Sequence, residues 1–439
     1  SAILIARLLG PELYGQYVLA SVAPQLLLLF TDLGLSQGII KFTVGLRQKG
    51  QTNHVTKLVK NVLLVKASVG IIIFIINYAF AYQIASIILQ RPELTFYVQI
   101  ASISILFQVM FTTLGSVFTG LDKTEYNALT ANLQAIAKTI ISVTLVIMGL
   151  SVIGVIIGQV ASQMIAAAVS ASIFLLMMRE KHNTKNNQNI AEDLKTLLRY
   201  GAPLYATLLI SGFVPLYQNV MLAIFTTDAD IGNYRAATNF ITLIGILSVP
   251  IVTALLTAFS KLETSTTEKI KIFFRYSNKY TALIIMPITI LIILFSNEMV
   301  QIVYGATYQS APFFLATYSL VYFLVGIGSL TLASFYNGLG ETKTTLKMNL
   351  VGFSIIIALS PILTKTYAVT GLIIAIIIAS VAGIAYGSCK AIRNHKIGFD
   401  RKALTKIYLT SITSAMIPLI ILQISPMPKP LNFTIGATM

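Results

Sequence analysis

The chain has 439 residues, of which 56% are hydrophobic and only 10% charged, and its mean hydropathy is +0.81. A soluble domain carries about 25% charged residues, so the composition excludes a soluble enzyme or binding domain and indicates an integral membrane protein. The net charge of +16 would point to nucleic acid in a soluble protein, but here the basic residues gather in alternate loops, as the positive-inside rule requires, and no nucleic-acid partner is implied. Cys389 stands alone, which excludes an intramolecular disulfide. His54, His182 and His395 fall in polar loops, with no His, Cys and carboxylate spacing suited to a metal, and no cofactor is implied.

Backbone polar groups in lipid must be satisfied within the protein, which leaves helices or a closed barrel. Runs such as 71–80 and 372–379 lack the period-two alternation of a barrel, so an all-α polytopic membrane protein is expected. Residues 1–9 read as a partial first helix that ends in the turn Gly10-Pro11-Glu12-Leu13-Tyr14-Gly15, punctuated by Gly and Pro. Helices are then expected over 16–40, 61–82, 95–119, 128–149 and 152–178. Past the polar stretch 179–200 they are expected over 201–225, 233–258, 280–296, 312–336, 346–364, 369–389 and 407–424. The apolar runs last about 20 residues, enough to cross a hydrocarbon core of about 30 Å. The chain reads as opening and closing mid-helix, with 431–439 as the start of another helix, so about 12–14 spans are expected with the first and last truncated.

The loops on one side of these helices hold 24 Lys and Arg and those on the other side hold 5, which puts the N-terminus and the central loop in the cytoplasm. The shift in numbering that lays Gly15 on Gly232 also lays Tyr17 on Tyr234, Ala20 on Ala237, Asn132 on Asn349, Leu133 on Leu350 and Gly154 on Gly371. A shift one position longer lays Gly120-Leu121 on Gly338-Leu339. Agreement at one offset across separate loops indicates an internal repeat, and matched loops on the same side make its two copies parallel. The organisation expected is a six-helix lobe over 1–178, a cytoplasmic linker over 179–200, a second six-helix lobe over 201–390 and additional membrane helix over 391–439. Two parallel lobes suit alternating access; an old duplication kept only for packing would look the same.

Charges inside a bilayer are expensive and mark function by default. Lys138 lies near the middle of its helix, and Ala131, Gln134, Lys138 and Ser142 share one face. The face suits a cavity in which Lys138 meets a pyrophosphate or an acidic sugar. A structural lysine paired with a helix carbonyl or with Asp32 is the other reading. Lys66, about five residues in from the cytoplasmic helix end, either snorkels or contacts substrate. Arg7 and Arg235 sit at repeat-related outer helix ends, as snorkelling residues or as the frame of an outer gate. Asp32 reads as a coupling-cation site, a salt bridge or a backbone cap. Uncharged stripes, Thr207, Ser211, Pro215 and Gln218 on one helix and Gln159, Gln163 and Ser170 on another, offer the neutral donors and acceptors that sugars need, and polar glue between helices would look alike.

The run Ala6-Arg7-Leu8-Leu9-Gly10-Pro11-Glu12-Leu13-Tyr14-Gly15-Gln16-Tyr17 resembles the ARxLGPxxYGxY signature that opens Wzx-type flippases of the MOP (multidrug/oligosaccharidyl-lipid/polysaccharide) superfamily. Asp32-Leu33-Gly34-Leu35, Gly232-Asn233-Tyr234 with Arg235 and Ala236-Ala237, Pro250 with Phe259-Ser260-Lys261, and Tyr200-Gly201-Ala202-Pro203-Leu204 are similar to further motifs of that family. The resemblance implies a MOP/MATE-like fold and a flippase that carries a polyprenyl-pyrophosphate-linked oligosaccharide to the outer leaflet, the sugar between lobes and the tail in lipid. It also implies polysaccharide polymerase and glycosyltransferase partners. Relatives often carry an acid where this chain has Gln218-Asn219-Val220, and Asn219 cannot exchange a proton. A MATE-type exporter would be expected to show more intramembrane acids than Asp32, and a lipid II flippase a more basic cavity than Lys66 and Lys138 supply. A membrane glycosyltransferase or polymerase would carry outside carboxylates, but the loop over 297–311 holds only Glu298, so no enzyme is expected.

Overall fold

The computed structural model describes residues 2–48, 52–179, 190–262 and 266–424. Most of the expected linker and residues 425–439 lie outside them, as does the further helix expected over 431–439. The described residues form helices without strands. They divide into two compact units, Ser1–Ile224 and Phe225–Met439. Seven runs are long and apolar enough to cross a membrane, or eight with one bent pair taken as a single span. Two of the seven, Thr124–Met177 and Thr342–His395, have 54 residues each. That is about 81 Å of helix at the standard rise, room for two crossings apiece. The protein is a multi-pass membrane protein.

The first unit holds α1 (Ala2–Leu29), α2 (Leu35–Gln48), α3 (Thr52–Ala79), the short α4 (Ala81–Gln83), α5 (Thr95–Ser102), α6 (Ser104–Gly120), α7 (Thr124–Leu145), α8 (Ser151–Arg179) and nearly all of α9 (Ile190–Phe225). The turn expected over 10–15 narrows to one residue. Gly10 alone leaves the helix, at φ 75° and ψ 172°, and the helix resumes at Pro11, where a missing N–H has no partner to lose. The single helix expected over 16–40 is broken at residues 30–34, with Leu33 at φ 50° and Gly34 at φ 83°. That break is closed by side chains. Thr31 Oγ1 donates to Leu28 O at 2.7 Å and Tyr205 Oη to Leu29 O at 2.6 Å. A Cβ at Gly201 of α9 would lie 1.9 Å from Gly34 O, so only glycine fits there. The helix expected to open the second lobe thus packs with the first unit.

The second unit holds α10 (Asp228–Lys261), α11 (Thr267–Leu294), α12 (Ser296–Tyr304), α13 (Ala311–Ser319), a 3-10 segment Leu320–Ile327, α14 (Thr331–Gly338), α15 (Thr342–His395) and α16 (Arg401–Ile424). The helix expected over 312–336 is therefore two pieces bent by 45°. Asn278 Nδ2 donates to Gly326 O at 2.5 Å, and Tyr408 Oη accepts from Gly326 N at 3.1 Å and donates to Phe323 O. These bonds replace the helix bonds lost at the bend, as lipid demands.

The offset read from the sequence returns in the backbone of each unit. Ser151 has φ 46° and ψ −130°, and its repeat counterpart Ala368 has φ 50° and ψ −135°. Three residues past each turn, a Cβ on Gly154 would meet Leu145 Cβ at 2.9 Å and one on Gly371 would meet Leu363 O at 1.8 Å. At the other helix end the offset is one position longer: Lys123 N donates to Phe118 O and Glu341 N to Tyr336 O, both at 2.8 Å. Gly120 there packs 3.1 Å from Ile40 O and Gly338 3.0 Å from Leu256 O, as measured from an added Cβ.

These contacts separate two glycines of similar setting. Gly371→Ala drives a methyl into Leu363 O and is expected to lower stability by about 1–3 kcal/mol or more. Gly245→Ala meets nothing within 4 Å and should be neutral or slightly stabilising. Thermal unfolding of the two purified variants in detergent checks this; equal midpoints would contradict the close packing.

Candidate functional site

Three helices of the first unit bring together Tyr17 on α1, Lys138 on α7 and Gln159 on α8, each half-buried. Lys138 Nζ donates to Tyr17 Oη at 3.0 Å and to Gln159 Oε1 at 3.2 Å. Tyr17 Oη in turn donates to Gln159 Oε1 at 2.5 Å. The ammonium also lies 5.6 Å from the Tyr17 ring centroid, within cation–π range, and Tyr14 stacks on Tyr17 at 6.1 Å. Gln134, one turn before Lys138, is half-buried too. Gln163, one turn beyond Gln159, is 7% exposed and leaves Oε1 without a hydrogen-bond partner, as does Ser170 Oγ further along the same face. The partners of Lys138 are neutral. The pairing with Asp32 or with a helix carbonyl, considered from sequence, is not what forms.

Asp32 belongs instead to Lys66. Its Oδ1 lies 2.6 Å from Lys66 Nζ, and Ser36 Oγ accepts from Lys66 at 3.0 Å while donating to the same Asp32 oxygen. Lys66 is 2% exposed and Asp32 24%. This corrects the snorkelling reading of Lys66: the carboxylate at the α1–α2 break draws the ammonium inward, where ion pairing offsets its desolvation. A coupling cation at Asp32 would have to displace that ammonium. The two cations inside the unit thus differ in kind, since Lys66 is neutralised by an acid and Lys138 is not.

The remaining candidates are dispersed. Gln218 and Asn219 are half-buried on α9, while the side chain of Thr207 lies outside the described ones. Arg7 and Arg235 are exposed, and Gly15 and Gly232 are buried. Tyr234, the repeat partner of Tyr17, is buried against Tyr318 with ring centroids 6.2 Å apart. Its neighbour Asn233 ties α10 to α13, accepting from Ala311 N at 3.0 Å and donating to Ala229 O at 2.8 Å. Sequence reasoning missed Ser36 and the joining of Tyr17 to Lys138. The first had a signal, because Ser36 follows Asp32 by four residues on a helical stretch; the second had none, since 121 residues separate the partners.

The ion pair yields an expectation of its own. Asp32→Asn strands a buried ammonium and should cost about 3–5 kcal/mol, whereas adding Lys66→Met should recover most of that loss. Yields of folded protein and unfolding midpoints for the single and double variants check it. A double variant no better than the single would show that the pair is not the source of the loss.

A family model described as "Polysaccharide biosynthesis protein" matches residues 2–263. No curated protein matches the chain. Among solved structures, the lipid II flippase MurJ in its inward closed conformation aligns with TM-score 0.76 at 18% identity, covering 99% of this chain and 95% of that one. An inward-facing multidrug resistance MATE family transporter of the MOP superfamily aligns with TM-score 0.66 at 16% identity, over 92% of this chain and 94% of that one. The Vibrio cholerae MATE transporter VcmN in its bent form gives 0.55 at 16% identity, over 91% and 98%. These likenesses establish a MOP-type fold. With the family match over more than half its length, the chain belongs to the polysaccharide biosynthesis protein family, as the resemblance of its first turn to the Wzx-type flippases implied.

Proposed function

We propose that this membrane flippase moves a polyprenyl-pyrophosphate-linked oligosaccharide across the cytoplasmic membrane, in an alternating-access cycle, for assembly of a surface polysaccharide. The observation that carries the reading is the Lys138 cluster. An ammonium inside a membrane span, half-buried and bonded among the described residues to the neutral groups of Tyr17 and Gln159, attracts an anion. A polyprenyl-linked glycan supplies anionic oxygens in its pyrophosphate, and in its sugars where these are acidic. Gln134, Gln163, Gln218 and Asn219 are assigned to the glycan as neutral donors and acceptors. Glycosyltransferases that build the substrate and a polymerase that consumes it are the partners this role calls for.

Cation-coupled export of a drug or metabolite, the MATE-like alternative, is less well supported. Among the described residues no group of three His, Cys, Asp or Glu is placed to hold a metal ion. Asp32, the acid it would rely on, is engaged by Lys66.

Two experiments test the proposal. Lys138→Ala and Lys138→Glu should abolish glycan export with protein still in the membrane, and Lys138→Arg should keep part of it because charge survives while geometry changes. Full export by Lys138→Met would remove the substrate contact. Orientation is tested by replacing exposed Cys389 and placing single cysteines at Glu93 and Glu125. The first is expected to react with an impermeant thiol reagent in intact cells and the second to be shielded. The opposite pattern would invert the topology.

A further inference from the structure

The hydrogen-bond inventory around Lys138 says more than that a cation is present. A glutamine carbonyl accepts two bonds, a glutamine amide gives two, a tyrosine hydroxyl gives one, and an ammonium gives three. Gln159 Oε1 already receives Tyr17 Oη and Lys138 Nζ. Tyr17 Oη already receives Lys138 while giving away its own proton. Because two donors converge on one Gln159 atom, that atom must be the oxygen, which turns the amide NH2 away from them. What remains unengaged is one N–H of Lys138 and both N–H bonds of Gln159. Within the triad no acceptor remains, and the unpartnered Gln163 Oε1 lies one turn along α8.

We propose that Tyr17 and Gln159 are specificity-determining residues of the Lys138 site: they consume one another's acceptors and leave three converging donors at the triad that take an oxyanion, phosphate or carboxylate. This rests on the flippase reading and narrows it. A sugar hydroxyl must both give and receive, so at the triad it finds no acceptor for its proton and has to reach one elsewhere, such as Gln163 Oε1. An organic cation meets like charge. An oxyanion, which only accepts, satisfies all three free donors. Tyr17 acts as a positioning residue, because its hydroxyl sets the Gln159 amide while its ring supports the ammonium. The repeat supports the assignment by contrast. At the offset that pairs Tyr17 with Tyr234, the counterparts of Lys138 and Gln159 are Ile355 and Ile376, so the tyrosine alone is kept. Buried Tyr234 therefore has no ammonium to orient.

The test uses the full chain purified in detergent at constant ionic strength, with the unfolding midpoint followed during titration by inorganic pyrophosphate, glucuronate, glucose or tetraphenylphosphonium. Pyrophosphate, glucuronate or both should raise the midpoint of the wild type, and glucose and tetraphenylphosphonium should not. A response to pyrophosphate alone assigns the site to the lipid linkage, and one to glucuronate alone assigns it to an acidic sugar. Tyr17→Phe should raise the half-saturating oxyanion concentration about tenfold, in keeping with one lost bond to a charged group.

Gln159→Glu is the decisive variant. It supplies the missing carboxylate, so the ligand-free midpoint should rise and the oxyanion response should vanish, a combination that a merely structural glutamine would not produce. An oxyanion response unchanged in Gln159→Glu, or an equal response to glucose in the wild type, would overturn the proposal, as would no response to either oxyanion. Should Lys138 variants lose export while no oxyanion binds, the receptor fails and the flippase reading stands. Should the oxyanion bind while Lys138→Met exports fully, the flippase assignment of the site fails instead.

Discussion

The governing constraint is that a polar group inside a bilayer must find its partner within the protein. Two departures from regular helix show how it is met. At the α1–α2 break the freed carbonyls of Leu28 and Leu29 are taken by Thr31 and Tyr205. At the bend between α13 and α14 the task falls to Asn278 and Tyr408. The same rule sorts the two interior lysines. Lys66 is matched by Asp32, and Lys138 holds only neutral neighbours, so its electrostatic requirement is left open for something outside the chain.

Much of this was legible in the sequence, and the limits of that legibility are physical. The repeat was readable because backbone turns with positive φ and helix contacts too close for a Cβ demand particular residues at fixed spacing, as Gly154 and Gly371 show. The breaks at residues 30–34 and 103 were not readable. At 30–34 part of the cause lies far along the chain, where Gly201 packs against Gly34. Lys138 stood out by depth alone. Its partners did not, because α1, α7 and α8 meet only in three dimensions, and Tyr17 belonged on the page to a turn motif. Lys66 was misjudged for the same reason: distance from the helix end says nothing about a carboxylate brought in by a neighbouring helix.

The two units share turn geometry at the repeat offset and differ in charge at matched positions. In the second copy, Lys66, Lys138 and Gln159 are replaced at the matching positions by Leu283, Ile355 and Ile376. Turn geometry has been retained in both copies while interior polarity has been retained or acquired in one. The proposed anion site therefore lies in the first unit. The second has apolar side chains at the equivalent positions, and elsewhere in it Phe259, Phe274, Phe335 and Tyr336 pack edge to face.

The tight turn at Gly149 and Ser151 also bears on biogenesis. With Gly149 at φ 90° and Ser151 at φ 46°, it reverses the chain between α7 and α8, and the close packing of Gly158 on Ser142 holds the arms together, so the pair can enter the bilayer together as it leaves the ribosome. Between Glu125 and Arg179 that hairpin carries a single charged side chain, Lys138. Placing one such charge at mid-membrane costs about 2.5–3.5 kcal/mol during insertion. Tyr17 is synthesised before Lys138, and Gln159 rides in the second arm of the same hairpin. The residues that tune the ammonium for its ligand are thus also on hand to shelter it on the way in.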